Sequence, residues 1–353
     1  MKLIILFLLI MIVGVSIVVA IAAMNSEYVD FFANEAIGDC HTNKCWSRGY
    51  FFPAYNRHYH LKSGTESRNL TKHVYRNFTG NGYAWVRLGS PGSSKWDLDT
   101  FVNDIMPTFT DHFILITTDG DASVPSDLNQ TTVQKLLSNQ YLVLWMTQNY
   151  DGTCTDPKLV PFPIGFDLHT YFGGCNELVQ LYPVPFSKPH TIPKLWSDVQ
   201  FRTYPKRHGD PRARWIDFYS KNTSALSPHV NYISSKLCRK ELWENYCSYQ
   251  MVLSLPGNGL DCHRTWEALY LGATVVTLHT NPLFDQLLSN FRVLFLHDFD
   301  ELLNWDNIIA RCDALQTKII PDMEAYLFIK FYSPALSPTI FNEPKLSRLL
   351  QRQ

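Results

Sequence analysis

Short apolar runs alternate with amphipathic stretches through the middle and C-terminal parts of the chain. Residues 112–118 contain Phe-Ile-Leu-Ile-Thr-Thr, a β-rich run short enough for a buried strand. The pattern then predicts a helix over 131–138, a strand over 141–146 and a third strand over 158–164. A short helix is expected over 96–106, and the Gly- and Ser-rich stretch 80–95 reads as loop. Prolines and basic residues alternate over 184–214, which reads as a linker with loops. Beyond it, helical spacing covers 212–220 and 236–246. Helices over 282–289 and 300–315 flank a strand over 292–296, and 324–331 reads as a helix returning to the first half. Strand and helix units in this order imply mostly parallel sheets, with ligands gathered at the carboxyl ends of the strands.

The best-defined unit is residues 251–278. Met251 to Leu255 reads as a buried strand, and Pro256-Gly257-Asn258-Gly259 breaks it. A helix follows, for which Asp261 is a candidate cap; Gly272 stops it, and 273–278 returns as a β-branched strand. A glycine loop that feeds a helix N-terminus attracts an anion such as a diphosphate. His263, Arg264 and Thr265 lie in the first turn, and the Arg264 guanidinium suits phosphate oxygens. Glu267 lies three residues further on, where a carboxylate would meet ribose hydroxyls. The dinucleotide fingerprint is not met, because Cys262 stands at its third glycine position.

The run Pro-Gly-Asn-Gly-Leu-Asp-x-His-Arg-Thr-Trp-Glu-Ala-Leu-x-Leu-Gly-Ala-x-Val-Val resembles the nucleotide-sugar signature of exostosin-like glycosyltransferases. Its layout is also similar to the donor motif of the Golgi fucosyltransferases. The resemblance implies an α/β fold of two Rossmann-like domains facing a cleft (GT-B type). It implies sugar transfer from a nucleotide sugar to a glycan or protein hydroxyl, with inversion; Arg264 and the helix start would meet the leaving diphosphate without a metal. Donor contacts would then come from Gly257, Asn258, Gly259, Asp261, His263, Arg264, Thr265 and Glu267, with Arg264 on the diphosphate and Glu267 on the ribose. Ala273 stands where that family often has Cys. Pro163-Ile-Gly-Phe-Asp167-Leu-His169 is similar to a second stretch of exostosin-like sequences.

Residues 3–24 are almost wholly apolar behind Lys2, which predicts a membrane-spanning signal anchor. The expected organisation is an anchor over 1–24, a stem over 25–60, an acceptor-side domain over 61–200 and a donor domain over 201–353. The chain would be a single-pass type II protein of the Golgi or endoplasmic reticulum, with its bulk in the lumen. Acceptor sequons at Asn69, Asn77, Asn129 and Asn222 permit that location. Eight cysteines suggest disulfides there, with Cys40–Cys45 and Cys238–Cys247 the first pairs to consider. Zinc held by Cys40, Cys45, His58 and His60 is the alternative for the first pair, and Cys262 reads as a small buried thiol. A formal net charge of −1 gives no reason to expect nucleic acid as partner.

An acceptor hydroxyl needs a general base, and carboxylates just past strand ends are the candidates: Asp121 first, then Asp119. Asp167 and His169 also follow a predicted strand. Asp119-Gly-Asp121 supports a rival, metal-dependent transfer, in which manganese would hold the diphosphate. A third reading is a membrane-tethered carbohydrate-binding protein without transfer activity.

Overall fold

The computed structural model describes residues 79–80, 82–89, 97–165, 190–200 and 207–318. The apolar run 3–24, the stem, Asn69, Asn77, the Cys40–Cys45 pair with His58 and His60, Asp167, His169 and the helix expected over 324–331 lie outside these residues. Among the described residues no helix is long and apolar enough to cross a membrane.

Two parallel sheets form the core. The first has the order β1-β2-β3-β4, with β1 Gly82–Gly89, β2 Phe113–Gly120, β3 Leu142–Thr147 and β4 Leu159–Pro161. The helix α1 (Asp97–Thr100) continues as a π turn (Phe101–Ile105) and a 3₁₀ turn (Met106–Thr108). The helix α2 (Gln130–Leu137) starts at Asn129, whose side chain accepts from Thr131 N at 2.9 Å; this sequon asparagine therefore also serves as a helix cap.

The second sheet has the order β6-β5-β7-β8-β9. Its strands are β5 (Ile192–Ser197), β6 (Val230–Tyr232), β7 (Tyr249–Leu253), β8 (Thr274–Leu278) and β9 (Val293–Leu296). Around them run α3 (Pro211–Lys221), α4 (Thr223–Leu226), α5 (Arg239–Ser248), α6 (His263–Tyr270), α7 (Pro282–Leu288) and α8 (Trp305–Gln316). Every residue of β8 is buried, which its β-branched sequence Thr-Val-Val-Thr-Leu suits. Trp266 on α6 is fully buried and meets Phe291 edge-on at 5.6 Å. Ile114, Ile116 and Phe162 from the first lobe join the same apolar cluster as Leu260 and Trp266 from the second, so the two lobes share a packed seam.

The structure departs from the sequence expectations in four places. The stretch read as loop contains β1, the edge strand; Ala84, Val86 and Leu88 alternate into the core, and glycines sit at both strand ends. The stretch read as linker contains β5, which lies between β6 and β7. Pro193 and Lys194 break its apolar pattern, and burial begins only at Leu195. The first strand of the second sheet therefore lies on the N-terminal side of residue 200. The helix expected over 300–315 is split: a 3₁₀ turn (Phe299–Leu303) ends at Asn304, which is non-helical and caps α8. Cys238 and Cys247 are both free thiols. Cys238 caps α5 and Cys247 sits in its last turn. Nine helical steps put their Cα atoms about 13 Å apart, well beyond disulfide reach.

Candidate functional site

The loop from β7 to α6 leaves the carboxyl end of the second sheet and meets the carboxyl end of the first. Its glycines are required by close approach. A Cβ on Gly257 would stand 2.5 Å from Arg212 Nη2, and one on Gly259 would stand 1.8 Å from Asn149 Oδ1. Arg212, on the first turn of α3, donates from Nε to Pro256 O at 3.2 Å, and His208 Nε2 lies 3.2 Å from Asn258 O. Arg212 and His208 thus hold the loop from the second lobe, and Asn149 of the first lobe packs against Gly259.

Asp261 does not cap α6, because the helix starts one residue later and Cys262 is its N-cap. Asp261 Oδ2 instead accepts from Ile164 N of the first lobe at 2.8 Å and from Trp266 Nε1 at 2.7 Å. Burial pushes its carboxyl up to about 6, against these two hydrogen bonds. Thr265 Oγ1 accepts from Cys262 N at 3.3 Å and lies 2.8 Å from Ser254 Oγ, which ties the helix start to the end of β7. His263 Nδ1 hydrogen-bonds Gly165 O at 2.8 Å across the seam.

Arg264 turns towards the end of β5. Its Nε donates to Asp198 Oδ1 at 2.7 Å and its Nη2 to Asp198 Oδ2 at 3.0 Å, a bidentate pair. Tyr246 donates to the same carboxylate at 3.2 Å. Burial, the largest influence, opposes the charge on Arg264, but Asp198, Tyr246 and Cys262 together raise its ionisation well above the usual value. The remaining terminal nitrogen, Nη1, points to Cys262 Sγ at 3.8 Å. Arg212 also reaches the Cys262 thiol; its own ionisation is lowered, first by burial and in part by Arg264. Burial, the largest influence, raises the thiol of Cys262, but Arg264 and Arg212, with hydrogen bonds from Ser254 and Thr265, bring the net shift down. Two cations therefore converge on one thiol at a helix start, and among the described residues Asp198 is hydrogen-bonded to Arg264.

Glu267 faces α5 and not the loop. Its Oε1 accepts from Arg239 Nη1 at 2.8 Å and its Oε2 from Trp243 Nε1 at 3.0 Å. Glu267 is 5% exposed, which leaves its carboxylate little access for a ribose hydroxyl.

On the first lobe, Gly120 ends β2, and its carbonyl accepts from Asn149 Nδ2 at 2.8 Å and Gln148 Nε2 at 3.1 Å. Asn149 takes a left-handed backbone (φ 56) and lies against Gly259. Asp119 is the penultimate residue of β2, and Asp121 follows the strand directly, half-buried. The chain Gly120–Asn149–Gly259 therefore brings the backbone at Asp121 to the donor-like loop. No group of three or more His, Cys, Asp or Glu side chains able to hold a metal occurs among the described residues.

No protein-family model matches the chain, and no curated protein matches it. Its fold is similar to that of sucrose-phosphate synthase from Thermosynechococcus elongatus, at a TM-score of 0.38 and 11% identity, over 81% of this chain and 77% of that one. It is similar to an E. coli trehalose-6-phosphate structure bound with UDP-2-fluoro glucose, at a TM-score of 0.39 and 11% identity, over 91% and 85%. The pneumococcal O-GlcNAc transferase GtfA, in complex with UDP and GlcNAc, matches at a TM-score of 0.33 and 12% identity, over 81% of this chain and 59% of that one. These likenesses are distant, and no residue role is carried over from them.

Sequence reasoning did not single out Asp198, Arg212, Arg239, Trp243 or Asn149. Asp198 and Arg212 fall in the stretch read as linker. The available signal was Leu195-Trp196-Ser197-Asp198, a short buried run that ends in a carboxylate. Asn149 lies three residues past a predicted strand, the same distance that drew attention to Asp121.

Proposed function

We propose that this chain is a glycosyltransferase that moves a sugar from a nucleoside-diphosphate donor to a hydroxyl of a glycan or glycoprotein. The observation that carries the reading is the convergence of Arg212 and Arg264 on Cys262 at the start of α6, where the two sheets' carboxyl ends meet. Two guanidinium groups beside a helix N-terminus offer the positive field that a leaving diphosphate needs, without a metal. In the proposed step the acceptor oxygen attacks the anomeric carbon and its proton passes to Asp121, with Asp119 the second candidate. The bond from that carbon to the diphosphate breaks, and the electron pair leaves with the diphosphate. Attack opposite to the leaving group inverts the anomeric centre. The described Gly257, Asn258, Gly259 and Thr265 shape the loop, with Asp261 and His263 securing it to the first lobe. Residues 3–24 would anchor the chain in a Golgi or endoplasmic reticulum membrane, with this site in the lumen.

The test is a thermal-shift panel of UDP, GDP, CMP and ADP. A nucleoside diphosphate at about 100 times its Kd should stabilise the fold by about 2.7 kcal/mol, a rise of several degrees. No shift with any of them would remove the donor site. Asp121→Asn should cut kcat by roughly a hundredfold or more and leave the affinity for the nucleoside diphosphate unchanged. Wild-type turnover in that variant would move the base elsewhere. Activity that is lost to a chelator and restored by manganese would favour the Asp119–Asp121 metal reading.

A further inference from the structure

Two of the acceptor sequons, at Asn129 and Asn222, lie among the described residues, and their side-chain amides are used at opposite ends. Asn129, Gln130 and Thr131 are all exposed, on the turn that opens α2. Asn129 has an extended backbone (φ −63, ψ 116), and its Oδ1 accepts from Thr131 N at 2.9 Å. That cap occupies only the oxygen end of the amide. Among the described residues nothing accepts from Asn129 Nδ2, and the Thr131 hydroxyl has no partner. The intervening Gln130 gives its own amide to Pro125 O and Leu128 O, each at 3.1 Å. Asn222 is half-buried at the junction of α3 and α4, and its Nδ2 donates to Phe218 O at 3.0 Å. Its backbone N also closes α3 on Phe218 O and Tyr219 O, and its carbonyl accepts from Ala225 N and Leu226 N of α4. A sugar on that nitrogen would lie against the last turn of α3.

We propose that the Asn129 amide has two roles: Oδ1 caps α2, and Nδ2 carries an N-linked oligosaccharide, while Asn222 stays unmodified. The assignment rests on the lumenal placement proposed above and does not require sugar transfer by this chain. The co-reactant is a lipid-linked oligosaccharide diphosphate, delivered by a membrane-bound oligosaccharyltransferase. Nδ2 attacks the anomeric carbon of the first sugar. The N–C bond forms as the C–O bond to the diphosphate breaks, the electron pair leaves with the lipid diphosphate, and the proton from Nδ2 passes to a base of that enzyme. The modified amide keeps its carbonyl oxygen, so the helix cap survives.

The test uses the full chain expressed in a eukaryotic secretory cell. Peptide N-glycosidase F leaves aspartate at every site that carried a glycan, which mass spectrometry reads as a mass gain. The peptide with residue 129 should show that gain in most of its population, and the peptide with residue 222 should not. Protease protection of a C-terminal tag in intact microsomes reads the lumenal placement separately. A protected chain with bare Asn129, or with a glycan at Asn222, overturns the proposal and leaves the placement standing. A digested tag with bare Asn129 overturns both. Variants then separate the two roles. Thr131→Ala should lose the glycan and keep the cap, because the cap uses its backbone N–H, and it should melt with the enzymatically deglycosylated wild type. Asn129→Ala should lose both and melt about 2–4 °C lower. Should Thr131→Ala not fold, Asn129→Asp takes its place, since aspartate caps a helix and cannot carry the glycan. A glycan that persists at residue 129 in Thr131→Ala, or melting of the cap-retaining variant as low as that of Asn129→Ala, overturns the dual role.

Discussion

Arg264→Ala should both abolish nucleoside-diphosphate binding and lower the melting temperature by roughly 10 °C. Arg264 forms a bidentate pair with Asp198, whose carboxylate also accepts from Tyr246. Asp198 is 5% exposed, so removing the guanidinium strands a buried carboxylate. Breaking a buried pair from one side costs about 3–5 kcal/mol, which for a domain of this size amounts to several degrees or more. Loss of binding in the alanine variant alone therefore does not separate a ligand contact from a structural one. Arg264→Lys does. The ammonium still neutralises Asp198 but cannot hold the carboxylate and present Nη1 to the loop at once. It should retain most of the melting temperature and lose at least tenfold in affinity, read by calorimetry at constant ionic strength. Full affinity in the lysine variant would confine Arg264 to holding β5 against α6.

Much of this architecture was legible in the sequence because burial is uniform along its central elements. β8 is buried at every position, and its apolar run could be read directly. α6 carries Trp266, Ala268 and Leu269 inward at helical spacing, between a glycine loop and the positive-φ Gly272. Edge and broken elements were not legible. β1 alternates small and large residues between glycines, and the flanking Ser and Gly residues mask a period of two. β5 owes its place to pairing with β6 and β7, a tertiary effect that overrides Pro193 and Lys194. The site was half legible for the same reason. The loop and Arg264 are contiguous in sequence, whereas Asp198, Arg212 and Asn149 reach them through space. Charge pairs between distant elements leave no local period to read. Helical spacing suggested that Arg264 and Glu267 share a face, and each instead found its own buried counter-charge on a different element.

That separation gives Glu267 its own expected result. Arg239 is 7% exposed, and in addition to its pair with Glu267 the same carboxylate holds the indole N–H of Trp243, which is 2% exposed. Glu267→Ala would leave a buried guanidinium and a buried indole donor on α5 without this acceptor. The cost should be about 3–5 kcal/mol, enough to loosen α5 from α6 and lower the melting temperature by roughly 10 °C. Glu267→Gln keeps the volume and one acceptor oxygen, so it should cost less, about 1–3 kcal/mol. A ribose contact predicts a different pattern: the glutamine variant would lose nucleotide affinity at nearly unchanged stability. The geometry favours the reverse, with chemical denaturation reporting a clear stability loss and the nucleoside-diphosphate affinity of the folded protein staying within about twofold. Arg239→Met supplies the control, because an apolar chain of similar length removes the guanidinium that donates to Glu267 Oε1. If it destabilises as much as Glu267→Ala, and the double variant Arg239→Met/Glu267→Ala recovers part of the loss, the two residues act as one buried pair. Additive losses would show that the two side chains contribute independently rather than as one pair.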